Sequence, residues 1–150
     1  GESVYRYSRN DITNSQGKLT LENMEWDSYS FEPISTFGLN LLRIFPSNPL
    51  DLMPNTNITA KLYYKAENSL LVNVLDSSSD NPIFGASVHL LNGSGYSRIL
   101  PSNKNGKSYF LPLEATDFTI NIEANGYASS SVSVSVSGET LKTIHLTPND

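Results

Sequence analysis

The alternation of apolar and polar positions is cleanest in the second half of the chain. Leu70, Val72 and Val74 are followed by Ala86, Val88 and Leu90, then by Phe118, Ile120 and Ile122, by Val132, Val134 and Val136, and by Ile144 and Leu146. A period of two with mostly polar residues between predicts strands that have one face in a core and the other in water. Turn-forming segments separate the runs: Asp76 to Pro82, Asn92-Gly93, Asn105-Gly106, Asn125-Gly126 and Ser137-Gly138. Asn-Gly predicts tight hairpins, because both residues accept positive φ. Seven short strands between residues 69 and 148 predict a β-sandwich.

The first half is less regular. Val4, Arg6 and Ser8 alternate with Tyr5, Tyr7 and Arg9, predicting a strand with an aromatic face. After a turn at Asn14-Ser15-Gln16-Gly17 come Leu19, Leu21 and Met24 and then Tyr29-Ser30-Phe31-Glu32, read as a hairpin. Residues Phe37 to Pro54 read as a packed apolar loop, since Pro46, Pro49 and Pro54 stop helix and strand alike. Asn57 to Lys65, with Ile58, Ala60, Leu62 and Tyr64 on one face, predicts a strand closing this half.

The two halves are related. Gly17-Lys18, Glu25, Tyr29-Ser30 and Phe31 recur as Gly106-Lys107, Glu114, Phe118-Thr119 and Ile120, all at one constant separation. Such self-similarity predicts an array of modules. The expected architecture is all-β, with two tandem sandwich modules of the seven-strand type: 1–66 partial and diverged, 69–148 complete. At this separation the first module has no counterpart of Ser69 to His89, which leaves it two strands short at its N-terminal end. Three covers are open: upstream polypeptide, a strand donated from another subunit, or the chain's own segment Phe37 to Pro54; the first two are expected, because Pro46, Pro49 and Pro54 make the third a poor central strand.

Composition narrows the function classes. A net charge of −5 without clustered Lys or Arg excludes the basic stripe that nucleic acid requires. Zero cysteines exclude disulfides and Cys-based zinc sites. No apolar run approaches the roughly 18 residues of a membrane span. His89 and His145 fall at the outward phase of separate strands, and no G-x-S-x-G motif supplies a nucleophile. Asp76, Asp80 and Asn81 place three oxygen-bearing side chains in one turn, open to calcium or to ordinary turn formation. Glu22, Glu25 and Asp27 allow a glycosidase pair or a solvated edge; Glu25 recurs as Glu114 without the others, which favours the edge. No catalytic residue, cofactor or metal is assigned. Trp26, with Tyr5 and Tyr7, is the one candidate ligand contact if these rings are exposed. Because Tyr29 aligns with a core position of the repeat, their burial is the expected outcome.

The order LLVNVLDSSSDNPIFGASVHL, then NGKSYFLPLEATDFTINIEANGY, then a closing strand after Ser137-Gly138, resembles the carboxypeptidase regulatory-like, or transthyretin-like, β-sandwich repeats of bacterial cell-surface and pilus-like proteins. Pro82, Gly85-Ala86, Val88, Gly106, Phe118, Ala124 and Gly126-Tyr127 carry the resemblance. It implies a non-enzymatic stalk, spacer or assembly unit of an extracellular or cell-surface protein, partnered by other protein modules or subunits. Two rivals stay open: a carbohydrate- or protein-binding adhesin module, and an accessory domain of a secreted hydrolase.

Overall fold

The computed structural model describes residues 8–34 and 38–149, which contain strands and no helix. The strands are β1 (Asp27–Tyr29), β2 (Leu39–Phe45), β3 (Leu50–Leu52), β4 (Lys61–Ala66), β5 (Ser69–Asp76), β6 (Ser87–Leu91), β7 (Ser97–Pro101), β8 (Lys107–Phe110), β9 (Asp117–Glu123), β10 (Ser130–Ser135) and β11 (Glu139–Leu146). Two compact units divide them, Gly1–Phe31 with Pro46–Ala60, and Glu32–Phe45 with Lys61–Asp150.

In the second unit, β5 to β11 build the predicted sandwich. One sheet has the order β10-β9-β6-β7, antiparallel throughout; the other has the order β11-β5-β8, with β11 parallel to β5. Period-two alternation places Leu70, Val72, Val74, Phe110, Ile144 and Leu146 of the smaller sheet against Val88, Leu90, Phe118, Ile120 and Ile122 of the larger, all buried. Burying a side chain of this size contributes about 1.5–3 kcal/mol, so these two facing rows are the main source of the unit's stability. Val134 and Val136 are buried as expected, while Val132 is only partly so.

The hairpin turns fall where predicted but are built differently. Asn92 and Asn103 each accept two backbone N–H bonds on Oδ1, from Ser94 and Tyr96 and from Asn105 and Lys107, at 2.9–3.0 Å. The positive φ falls on Gly95 and Gly106, and neither Gly93 nor Asn105 adopts it. These are Asx-capped turns, longer than the two-residue type that Asn-Gly predicts.

Also in this unit, β2 and β4 form a two-stranded antiparallel ribbon. Glu67 N–H donates to the Gly38 carbonyl at 2.8 Å and extends this ladder by one pair, and a Lys65–Glu139 ion pair at 2.9 Å ties the ribbon to β11 of the sandwich. The packed loop expected over Phe37 to Pro54 is thus corrected: it contains β2 and β3. Pro46 follows the last residue of β2 and so interrupts no ladder, and Leu42 is accommodated as a bulge between Leu41 and Arg43. The strand expected from Asn57 begins only at Lys61.

In the first unit, β1 pairs with β3. The hairpin expected over Leu19 to Phe31 does not form, because Asn23 takes a left-handed conformation (φ 56°) and no strand lies between Lys18 and Trp26. Phe31 N–H donates to Asn48 Oδ1 at 2.9 Å, and Asn48 Nδ2 returns a bond to the Phe31 carbonyl at 3.1 Å. The turn at Asn14 repeats that at Asn103 bond for bond. Asn14 Oδ1 accepts from Gln16 and Lys18 at 2.9 and 3.0 Å, and Gly17 has φ 71° against 72° at Gly106. The strand expected over residues 4–12 lies partly outside the described residues, and from Ser8 to Ile12 no strand is present.

Candidate functional site

Groups with chemical potential are dispersed over the sandwich. His89 Nε2 lies 2.8 Å from Ser97 Oγ, and His145 Nε2 lies 3.1 Å from Asp80 Oδ1. Each pair is part of a nucleophile–base–orienter set, and among the described residues neither is joined by the remaining member. Across the outer face of the larger sheet the register aligns His89 with Asn121 and Asn121 with Ser131, whose Oγ donates to Asn121 Oδ1 at 2.7 Å. That polar row is what a solvated face requires. A shallow depression of about 410 Å³ lies over Asn92, Asp117, Thr119, Ser133 and Ser135, where Ser135 Oγ donates to the Asp117 carboxylate. It offers hydrogen bonds and a single carboxylate, Asp117, with no histidine or second acid among its lining residues.

The turn considered for calcium is occupied by its own bonds. Asp76 Oδ1 accepts from the N–H groups of Ser78 and Ser79 at 2.8 and 2.9 Å, and Asp76 Oδ2 accepts from the Tyr127 hydroxyl at 2.9 Å. Donation from Ser78, followed by that from Tyr127, holds the Asp76 carboxyl below the usual range, and the same bond pushes the Tyr127 phenol up. Asp80 turns away toward His145. Among the described residues no three His, Asp or Glu side chains converge as metal ligands. Glu22, Glu25 and Asp27 are all exposed.

Trp26 departs from expectation. It is 71% exposed, while Tyr29, half-buried, donates its hydroxyl to the Glu25 carbonyl at 2.8 Å. The core position that Tyr29 shares with Phe118 therefore does not carry its neighbour inward. Tyr5 and Tyr7 lie outside the described residues.

The surface that sequence reasoning missed is the β2–β4 ribbon. Its register puts Leu39 opposite Ala66, Leu41 opposite Tyr64 and Ile44 opposite Leu62, so one face is wholly apolar. The opposite face carries Asn40, Arg43, Phe45, Lys61, Tyr63 and Lys65, with Arg43 stacked 4.6 Å over the Tyr63 ring. A face of this composition is normally covered by a second layer. Here Leu41, Leu62 and Tyr64 keep 37, 37 and 38% of their surface exposed. Alternation in Leu62, Tyr64 and Ala66 was visible beforehand; the bulge at Leu42 hid its partner strand.

No protein-family model and no curated protein matches the chain. Solved structures similar to it include the TIE protein of Bacillus anthracis, at 14% identity over 60% of this chain and 20% of that one, with a TM-score of 0.46. The 5-hydroxyisourate hydrolase of Klebsiella pneumoniae is 20% identical over 55% of this chain and 92% of that one, with a TM-score of 0.46. The minor pilin of Streptococcus agalactiae is 16% identical over 59% and 49%, with a TM-score of 0.47. The chain spans about a fifth of the length of the first and about half that of the pilin. At such values the β-sandwich assignment rests on the ladders described above.

Proposed function

We propose that this chain is a non-catalytic structural segment of an extracellular or cell-surface protein, acting as stalk, spacer or assembly unit. In this reading residues 1–66 are a partial module, 69–148 a complete carboxypeptidase regulatory-like one, and the partners are other protein modules or subunits. The observation that carries the reading is the β2–β4 ribbon, an amphipathic two-stranded sheet on whose apolar face Leu41, Leu62 and Tyr64 stay more than a third exposed while Leu39 and Ile44 are half-buried and Ala66 is buried. An exposed, contiguous apolar face marks a protein contact more often than a catalytic surface. The mechanism is mechanical: ladders bear load, and the ribbon takes polypeptide from outside the chain.

Antibody labelling of intact source cells tests the location, with labelling expected before permeabilisation; labelling only afterwards overturns it. A hydrolase panel, 5-hydroxyisourate included, tests the chemistry. Turnover abolished by Ser97→Ala, His89→Gln or replacement of one carboxylate overturns the non-catalytic reading.

A second reading is favoured by the exposure of Trp26. An adhesin module would present this ring to a sugar or a partner protein, since indole faces stack well on apolar sugar surfaces. Trp26 is the chain's single tryptophan, so a bound glycan would shift its fluorescence directly. A glycan array on which wild type and Trp26→Ala give the same blank result removes the carbohydrate branch.

A further inference from the structure

We propose that the edge strand β10 pairs antiparallel with β10 of a second copy of this chain, joining two four-stranded sheets into one of eight. This rests on the assembly-unit reading and names a surface and a partner for it. In the order β10-β9-β6-β7 one side of β10 is paired, and among the described residues no strand lies on the other. Val136 N–H donates to the Thr116 carbonyl at 2.9 Å, one position beyond the Ser135–Asp117 pair. Bonded and unbonded positions alternate along an antiparallel ladder. Val132 and Val134 therefore bond to β9, while Ser131, Ser133 and Ser135, all exposed, turn their backbone N–H and C=O groups outward.

Sheet edges are ordinarily blunted by charge, proline, a bulge or shortness. The other three edges of the sandwich follow that rule: β7 contains Arg98 and ends in Pro101, β8 has four residues and starts with Lys107, and β11 carries Glu139, Lys142 and His145. Strand β10 reads Ser-Ser-Val-Ser-Val-Ser, with no charge, no proline and no break in its register. Its sequence also selects the partner, because it is complementary to itself. A two-fold axis at Ser133 sets Ser131 opposite the second copy's Ser135 and Val132 opposite its Val134. Outward backbone groups then meet outward backbone groups, serines continue the solvated face and valines the core face. A slip of one residue would set serine against valine and reverse the faces. Val132, at the core phase yet only partly buried, gains the cover it lacks. The contact is isologous and closes at two copies. Each copy carries a net charge of −5 and β10 carries none, so salt screens the repulsion and favours the pair.

Sedimentation velocity across a concentration series reads the association, and a monomer–dimer equilibrium favoured by salt is expected. Amide hydrogen exchange over the same series locates the contact. The amides of Val132 and Val134 should be protected at every concentration, and those of Ser131, Ser133 and Ser135 only as the dimer accumulates. Ser133→Pro removes an outward N–H that the strand's own ladder does not use, and is expected to abolish the dimer. Ser133→Lys sets like charges opposite each other on the axis and should weaken it, whereas Ser133→Ala, which keeps the backbone, should leave it intact. Unchanged protection in β9 shows that each variant is folded. A wild-type chain that stays monomeric throughout overturns the proposal, as does a dimer equally strong in the Pro and Lys variants or one lost in Ser133→Ala. A dimer in which the three serine amides exchange as they do in the monomer assigns the contact to another surface and overturns it too. None of these outcomes bears on cell labelling or the hydrolase panel, which judge the broader reading separately.

Discussion

Asn14 and Asn103 cap their turns with the same atoms, yet a methyl group added at the glycine three positions on would meet opposite surroundings. At Gly17 the space is open, so Gly17→Ala carries only the left-handed strain, about 1 kcal/mol. At Gly106 a Cβ would stand 2.5 Å from the Val74 carbonyl oxygen and 3.0 Å from Pro82 Cβ. Gly106→Ala is therefore expected to cost roughly 3 kcal/mol or more, and denaturant midpoints of the two variants check the ordering. A similar contrast separates two buried serines. Ser102 Oγ donates to the Ile83 carbonyl at 2.6 Å and accepts from Ala86 N–H at 2.9 Å, stapling the corner before β6 to the end of β7. Ser102→Ala strands both groups and should cost about 1–3 kcal/mol. Ser108 Oγ is buried and has no hydrogen-bond partner among the described residues, so Ser108→Ala should be neutral or stabilising in the same assay. Equal losses at the two serines would contradict this account.

Among elements, stability should follow the number of layers. Strands β5, β6 and β9 are central in their sheets and face the core, whereas the ribbon has two strands and one exposed apolar face. A two-stranded sheet by itself is marginal in water. Amide hydrogen exchange should accordingly show strong protection in β9 and protection lower by orders of magnitude in β2 and β4, rising if the ribbon is covered by a partner. Protection in β4 equal to that in β9 would remove the case for an uncovered layer. The same contrast explains what the sequence made legible. Strands buried on one regular face, such as Phe118, Ile120 and Ile122, declare themselves by local alternation, which placed five of the sandwich's seven; β7, with no buried face, and the short β8 followed only from the turns beside them. The ribbon depends on pairing Leu41 with Tyr64 across a long separation, and the bulge at Leu42 breaks the local pattern. Turn residues were legible as turns, but their type depended on Asn92 and Asn103 side chains reaching four residues along, which a dipeptide rule does not see. At the site level Trp26, Tyr5 and Tyr7 were named; of these Trp26 lies among the described residues, and its exposure was misjudged because a repeat offset transmits backbone position and not the depth of a second layer.

Across the whole sandwich, the bond from Tyr127 to Asp76 joins segments far apart in the chain, the turn after β5 and the corner before β10. Its two groups titrate at opposite ends of the pH scale, and both shifts favour the same charged-acceptor, neutral-donor pair. The Asp76 carboxyl is lower in the folded state, so its contribution is present above the unfolded carboxylate value near pH 4 and is lost as pH falls through the lower folded value. The Tyr127 phenol is higher in the folded state, so its contribution is present below about pH 10 and is lost as pH rises through the raised folded value. Tyr127→Phe keeps the ring and removes the donor. Its melting temperature should therefore lie below wild type by a constant gap between about pH 5 and pH 9 that narrows below pH 4 as Asp76 becomes protonated. The parallel variant Asp76→Ala also loses the bonds to Ser78 and Ser79, and should be the more destabilised of the two at neutral pH. Thermal melts of the three proteins from pH 2 to pH 10 supply the readout. If the gap between wild type and Tyr127→Phe were the same at pH 2.5 and pH 7, the hydroxyl would be contributing through packing alone, and the clamp between turn and corner would not be the source of acid sensitivity.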